Sequence, residues 1–261
     1  MANAKTAIAV KKEESTAVTK SMNWAEKLAG YAQEAAAEEK VSAGTSITCR
    51  SGQLQIGGQP VAGNKLSVVI VGSVFENAYY SDDYDADNPK APTCFAFAKV
   101  EADLTPHDES MEKEHDSCKG CPQNEWGSAE KGKGKACKNI RRLLMVSASP
   151  LTIDGVNSGD VAFMKLPVTS GKAWAQYVNT LAAVHKRPPF AVITEIGAVP
   201  DPKTQFKITF NHLSNIDDNE LLEALHTKNE GSFDQLAVPY APNTVEEKPA
   251  KKPVAKGKGK F

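Results

Sequence analysis

The sequence predicts a mainly β fold with added helices, an α+β architecture in which the strands form a small barrel. Three observations support it: many short β-branched segments of unequal length, a glycine inside the longest one, and helical patterns that occur singly between strands. A doubly wound sheet would instead alternate strands and helices regularly. Among small barrels we expect an OB-type barrel, interrupted by a four-cysteine zinc-binding insertion.

The individual elements follow from local patterns. Trp24, Leu28 and Tyr31 recur at helical spacing, which predicts an amphipathic helix over about 22–39. The β-branched run at 65–80 predicts a long strand in which Gly72 suits a bulge or a barrel corner. The other predicted strands are 45–50, 54–56, 94–100, 140–146, 161–168, 190–199 and 205–210, and further helices are predicted at 170–186 and 218–227.

Composition divides the chain into a centre and two ends. Residues 1–20 lack a sustained apolar face and are predicted to be a flexible leader. Residues 21–230 are predicted to form the domain, with the zinc-binding insertion at 104–138. Residues 231–261 are predicted to be a flexible basic tail, because six lysines and only two glutamates lie between Glu246 and the final Phe261.

The bulk properties also bear on location. No apolar run reaches the roughly 20 residues needed to cross a bilayer, and the N-terminus has no secretory pattern. Five clustered cysteines resemble a metal site more than a disulfide framework, which fits a reducing compartment. We therefore expect a cytoplasmic protein without a membrane partner.

Four cysteines carry the clearest chemical signal. Cys118 and Cys121 form a C-x-x-C knuckle, in which two thiolates converge on one ion. Cys137 follows a Gly/Lys loop and Cys94 lies on the strand before the insertion, so both can reach the knuckle if the loop folds back. Thiolate ligands predict one structural Zn²⁺ ion, and an iron–sulfur cluster is the alternative occupant.

Other interpretations of these cysteines remain open at this point. His107 or His115 could replace Cys94 as the fourth ligand, and all four thiols could be buried without a metal. Cys49 is expected to be a buried strand thiol.

Catalytic patterns are absent from the sequence. His107 and Glu109 before the knuckle resemble the zinc-deaminase signature, but the two halves are too close together and Ser117 stands where proline is expected. Four cysteine ligands would also leave no position for a catalytic water. The Walker A, nucleophile-elbow and EF-hand patterns are missing as well. We therefore predict a protein without enzymatic activity.

A basic segment beside the cysteines suggests a nucleic-acid surface. Its cations are Lys131, Lys133, Lys135, Lys138, Arg141 and Arg142, with no acidic residue between them. Aromatic side chains next to cations can stack on any base, which favours sequence-tolerant binding of single strands. Trp126, Tyr79 and Tyr80 are the best stacking candidates, whereas core positions are expected for Phe95, Phe97 and Phe210.

Residues from Trp24 to about Leu225 resemble the single-stranded DNA-binding proteins of tailed bacteriophages. The resemblance rests on three sequence patterns: C-x-x-C-P from Cys118, N-x-W-G-S from Asn124, and G-K-G-K-x-C-K-N from Gly132 followed by two arginines. It implies an OB fold, in some members with an inserted zinc element, that coats exposed strands and recruits replication or recombination enzymes. It also implies location in the host cytoplasm if the protein is phage-encoded. The basic residues before Phe261 depart from the acidic tail of many such proteins.

Two classes of function therefore follow from the sequence. The first is largely sequence-independent binding of single-stranded DNA in phage replication, recombination or repair, possible partners being replication or recombination proteins. The second is a zinc-stabilised interaction or transcription-associated protein that contacts another protein or duplex DNA. Titration with single-stranded, duplex and RNA oligonucleotides distinguishes them.

Overall fold

A computed structural model of the chain describes residues 45–82, 90–130 and 132–240. The predicted leader, the predicted helix over 22–39 and the last 21 residues lie outside these ranges. In the described ranges, no helix is both long enough and apolar enough to cross a membrane.

The described residues form a mainly β structure with a single mixed sheet. Its strand order is β3-β2-β1-β7-β6-β4-β8-β9, with β5 also paired to β4. Only the β1–β7 pairing is parallel among the described strands. The strands are β1 (Thr45–Arg50), β2 (Gln53–Ile56), β3 (Gln59–Pro60), β4 (Lys65–Tyr79), β5 (Cys94–Ala98), β6 (Lys138–Ser147), β7 (Ala162–Leu166), β8 (Val192–Asp201) and β9 (Gln205–Asn215).

Helices are placed singly or in short succession between the strands. They are α1 (Ile153–Asn157), α2 (Val168–Thr180), which continues as a π-helical turn (Leu181–His185), α3 (Asn219–Glu230) and α4 (Ser232–Leu236). The Asp218 carboxylate caps α3 by accepting a hydrogen bond from the backbone N–H of Leu221. The Thr152 hydroxyl does the same for α1 through Gly155.

The long strand β4 organises the sheet. β6 pairs with it on one side from Val68 to Ala78, while β8 and β5 share its other side, at Lys65–Val68 and Phe75–Tyr79. The register against β6 shifts between Ile70 and Gly72, which is a β-bulge as the sequence predicted. One extra residue reverses which side chains face which side of the sheet.

Two apolar cores lie on the two faces of the sheet. The inner face carries Val68, Ile70, Leu143 and Met145 and packs against Trp174 of α2. The outer face is covered by α1, α3 and α4 and carries, among others, Val69, Val71, Val74, Leu144, Val156, Leu225 and Leu236. The inner core also gathers apolar residues of β1, β2, β8 and β9, which come from opposite ends of the strand order. The sheet is therefore curled.

Asn64 ties the two ends of this curl together. Its amide nitrogen donates to the carbonyls of Gly52, at 2.8 Å, and Ala198, at 2.9 Å. Its amide oxygen accepts from the backbone N–H of Leu54, at 2.7 Å. The β1–β2 hairpin is thereby joined to β8, although the two are not neighbours in the sheet order.

Most predicted elements within the described ranges are present, with shifted ends. Strand β9 continues to Asn215, five residues beyond its predicted end. Helix α1 was not predicted, because its five residues lie in a segment rich in glycine, asparagine and aspartate. Helix α4 lies inside the predicted flexible tail, and the buried Leu236 fixes it to the outer core, so the folded chain continues beyond residue 230.

Candidate metal centre and nucleic-acid interface

The four cysteines of the predicted metal site line one small cavity. Cys94, Cys118, Cys121 and Cys137 are all buried and free, and the cavity between them has a volume of about 20 Å³. Asn77 and Tyr79 of β4 contribute to its wall. The fifth thiol, Cys49, is partly buried against the inner core and lies apart from this cavity.

Two strands and a short loop position these thiols. Cys94 begins β5 opposite Tyr79, and Cys137 immediately precedes β6, so β4 holds both close together. A hydrogen bond holds the knuckle to the preceding segment, since the backbone N–H of Cys118 donates to the Leu104 carbonyl at 3.1 Å. Gly120 in the knuckle has a φ of 79°, a left-handed conformation that glycine adopts without strain.

The thiols interact electrostatically with one another. Burial, together with the neighbouring cysteines, raises the pKa of Cys118 to about 11 and that of Cys137 to about 12. Burial also raises the pKa of Cys94, and Cys121 adds to the effect. Cys94, Cys118 and Cys137 are therefore neutral at pH 7, and a cation placed among their sulfurs would favour the thiolate forms.

The cavity gathers the predicted ligands without arranging them as a coordination shell. Within the described ranges, no three His, Cys, Asp or Glu side chains are placed so that they could hold a metal ion. The donor set nevertheless has the chemistry of a zinc site, because four thiols converge on one buried cavity. The zinc prediction therefore stays a prediction.

The two histidines considered as alternative ligands have different positions. His115 lines the cysteine cavity, and its Nδ1 lies 3.0 Å from the Ser117 carbonyl oxygen. His107 lies away from the cavity, where its ring stacks on Phe95 with 5.0 Å between ring centroids. Its Nδ1 accepts a hydrogen bond from the backbone N–H of Glu109.

An asparagine network joins the cysteine loop to the sheet. Asn139 of β6 donates to the side-chain oxygens of Asn77, at 2.7 Å, and Asn124, at 2.9 Å. Asn124 in turn donates to the Cys118 carbonyl, at 2.9 Å. These three side-chain amides connect β4, β6 and the knuckle, and their hydrogen bonds hold the cysteine loop against the sheet.

Trp126 projects from this loop. Its side chain is 77% exposed, and the Lys135 ammonium lies 5.9 Å from the ring centroid. Ser128 fixes the loop behind it, because its hydroxyl donates to the Gln123 and Glu125 carbonyls and accepts from the Ala136 N–H. Lys133 and Lys138 are exposed nearby in sequence, and Lys131 lies outside the described residues.

The two predicted arginines face opposite sides of the sheet. The Arg141 guanidinium lies 3.3 Å from the centroid of the Phe75 ring, on the side of the cysteines. Arg142 faces outward, and its Nε and Nη2 donate to the Glu76 carboxylate at 2.6 and 3.0 Å. Because its side chain is only 13% exposed, Arg142 is held by this pairing and is poorly placed for phosphate contacts.

The two predicted tyrosines are separated in the same way. Tyr79 lines the cysteine cavity, whereas Tyr80 is 42% exposed beside Tyr240 on the outer side. The stacking candidates therefore do not form one surface.

Glu76 is the centre of a second polar cluster that the sequence analysis missed. This fully buried carboxylate binds Arg142, lies 3.3 Å from the Lys165 ammonium and accepts a hydrogen bond from the Tyr240 hydroxyl. Burial alone would raise the pKa of Glu76, but the hydrogen bond and charge of Arg142 and the charge of Lys165 outweigh it and hold this pKa below its usual value. The available signal was a Glu-Asn pair interrupting a β-branched strand.

Comparison with protein-family models, curated proteins and solved structures finds no match to this chain.

Proposed function

We propose that the protein binds single-stranded DNA without enzymatic activity and largely independently of base sequence, in phage replication, recombination or repair. The observation that carries the proposal is Trp126, a large aromatic side chain that is 77% exposed on a loop fixed by hydrogen bonds. A tryptophan side chain that is 77% exposed buries little apolar surface on folding. It offers a stacking face that accepts every base.

Charge near this ring supports the same function. Lys135 lies beside the Trp126 indole, and Lys133 and Lys138 lie on either side of Lys135 in sequence. Phosphate groups next to a stacked base would meet these ammonium groups, and neutralisation of phosphates supplies sequence-independent affinity. Arg141 on the same side of the sheet is a further candidate.

We propose as well that the four cysteines hold one structural Zn²⁺ ion. The bound ion would supply the positive charge that the buried thiols need to ionise. Cys94 and Cys137 lie beside β4, and Cys118 and Cys121 lie in the knuckle, so the fold brings all four thiols to one cavity. The curled sheet with its central long strand also supports the proposal of an OB-type barrel that carries this insertion.

Fluorescence titration of the full-length protein tests the proposed function. Adding a mixed-sequence single-stranded DNA should quench tryptophan emission, and Trp126→Ala should weaken binding by about 1–3 kcal/mol while Trp126→Phe retains most of the affinity. Trp174, which is buried in the inner core, provides an internal reference for folding.

The competing results are distinct. Preference for duplex DNA over single strands, or absence of binding to either, would favour an interaction or transcription-associated role instead. Normal affinity of a folded Trp126→Ala variant would remove Trp126 from the binding surface.

A further inference from the structure

The outer face of the sheet carries a group of aromatic side chains separate from the Trp126 loop. We name Tyr80, Phe97, His107 and Tyr240 the outer aromatic strip. The buried ring of Phe95 joins three of them, with centroid distances of 5.6 Å to Phe97, 5.0 Å to His107 and 5.2 Å to Tyr240. Tyr80 is 42% exposed, and the other three are partly exposed.

Two cationic side chains lie against these rings. The Arg142 guanidinium lies 4.3 Å from the Phe97 centroid, and the Lys165 ammonium lies 4.6 Å from the Tyr240 centroid. The side chain of Lys165 is 51% exposed. One carboxylate, Glu76, is buried beneath the two cations and pairs with Arg142, so the Lys165 ammonium is the cation that this cluster presents at its surface.

The strip is held in a fixed arrangement. Arg142 Nη1 donates to the carbonyls of Leu236, at 2.8 Å, and Val238, at 3.1 Å, which fixes the segment that leads to Tyr240. The Lys165 ammonium donates to the Tyr240 hydroxyl at 2.7 Å. Rings that are already positioned lose little conformational entropy when a planar ligand stacks on them.

We propose that the outer aromatic strip is a second contact surface for single-stranded nucleic acid. This inference rests on the proposed function and extends it to the face of β4 opposite the cysteines. Ring faces beside an exposed ammonium group fit a flexible strand, because unpaired bases can stack on the rings while a connecting phosphate meets Lys165. A duplex keeps its bases stacked on one another and offers no free base face to these rings.

Photo-crosslinking and paired variants test the strip. A mixed-sequence single-stranded DNA containing 5-iododeoxyuridine should crosslink to peptides that contain Tyr80, Phe97 or His107, in addition to the peptide of Trp126. The double variant Tyr80→Leu with His107→Leu keeps apolar side chains and removes two stacking faces, so the dissociation constant should rise about tenfold or more.

The matched control changes two other partly exposed rings. His185 and His212 stack on each other with 3.8 Å between centroids, away from the strip, and replacing both with leucine should leave the affinity unchanged. Crosslinks confined to the Trp126 loop, with unchanged affinity of the strip variant, would overturn the second surface and leave the proposed function intact. Absence of single-strand binding by the wild-type protein would overturn both.

Discussion

Two neighbouring residues of β4 belong to two polar clusters, and only one of these clusters has all its charged and hydrogen-bonding groups paired within the chain. Glu76 faces outward and finds two cations and a hydroxyl within the chain. Asn77 faces inward, where it lines a small cavity together with four cysteines. Every buried side-chain nitrogen or oxygen in the described ranges has a hydrogen-bond partner, so the oxygen and nitrogen chemistry of the fold is satisfied. The thiol cluster is the part that an added cation would change.

This difference teaches how one strand can combine a structural and a ligand-dependent site. Side chains alternate between the faces of a strand, so positions 76 and 77 are adjacent in sequence but separated by the sheet. The outer cluster is an ion pair completed by folding itself. In the inner cluster Cys94, Cys118 and Cys137 are neutral without a metal, and the proposed zinc would complete the cluster once folding has brought the thiols together.

The largest expected effect comes from breaking the outer cluster. Glu76→Gln should destabilise the protein by about 3–5 kcal/mol at pH 7, because it leaves Arg142 buried without its counterion. Urea unfolding measures this change. Glu195→Gln is the matched control, because Glu195 pairs with Lys65 at the surface, and this variant should lose far less stability than Glu76→Gln.

The stability difference between the wild-type protein and Glu76→Gln should depend on pH. The folded-state pKa of Glu76 is below its usual value of 4.5, so its contribution to stability is fully present above that pH and is lost as the pH falls through the folded-state value. The stability gap between the wild-type protein and Glu76→Gln should therefore narrow in acid. A gap that stays constant from pH 7 to pH 3 would show that ionisation of Glu76 is not what stabilises the cluster.

Zinc removal should have the next largest effect. At a free zinc concentration 100 times the dissociation constant, the metal would contribute about 2.7 kcal/mol. Chelation should then lower the melting temperature by roughly 5–10 °C. Metal analysis should give one zinc per chain for the wild-type protein and for Cys49→Ser, and less for Cys137→Ser. Zinc-free protein with an unchanged melting temperature would identify the thiols as structural side chains without a metal.

The bulge in β4 decides which cluster faces which side, and Gly72 is its most sensitive position. A Cβ atom added there would lie 2.4 Å from the Cβ of Ser232, so Gly72→Ala should displace α4 and cost about 1–3 kcal/mol. Adding Ser232→Gly should recover much of this stability by removing the collision. Thermal unfolding of the single and double variants measures the recovery, and an equally unstable double variant would contradict this cause.

The smallest effect concerns two lysines of the cysteine loop, Lys133 and Lys135. Replacing Lys133 and Lys135 with alanine should make the slope of log affinity against log salt shallower by roughly 0.7 for each lysine–phosphate interaction that the substitutions remove. Lys172→Ala with Lys203→Ala removes two exposed lysines elsewhere and should leave the slope unchanged. Equal slopes for both double variants would place the phosphate-binding lysines away from the cysteine loop.

Sequence patterns predicted the features that depend on residues close together in the chain. Alternation and β-branched runs located the strands, a glycine marked the bulge, and the C-x-x-C spacing selected thiols that do line one cavity. Patterns could not distinguish Arg141 from Arg142, because the carboxylate that binds Arg142 lies 66 positions away. Tyr240 was missed for the same reason, since its contact with Glu76 spans 164 positions and follows from tertiary packing alone.

The hydrogen bonds of Asn64 that join the β1–β2 hairpin to β8 affect when the chain can complete its fold during synthesis. Its hydrogen bond to Ala198 spans 134 positions, so the first hairpin has no partner in β8 until that strand has been made. At about 5–20 residues per second, this interval lasts roughly 7–27 s. During that time the inner apolar faces of β1 and β2 are exposed to other nascent chains, and a chaperone that shields them on the ribosome would raise the yield of folded protein.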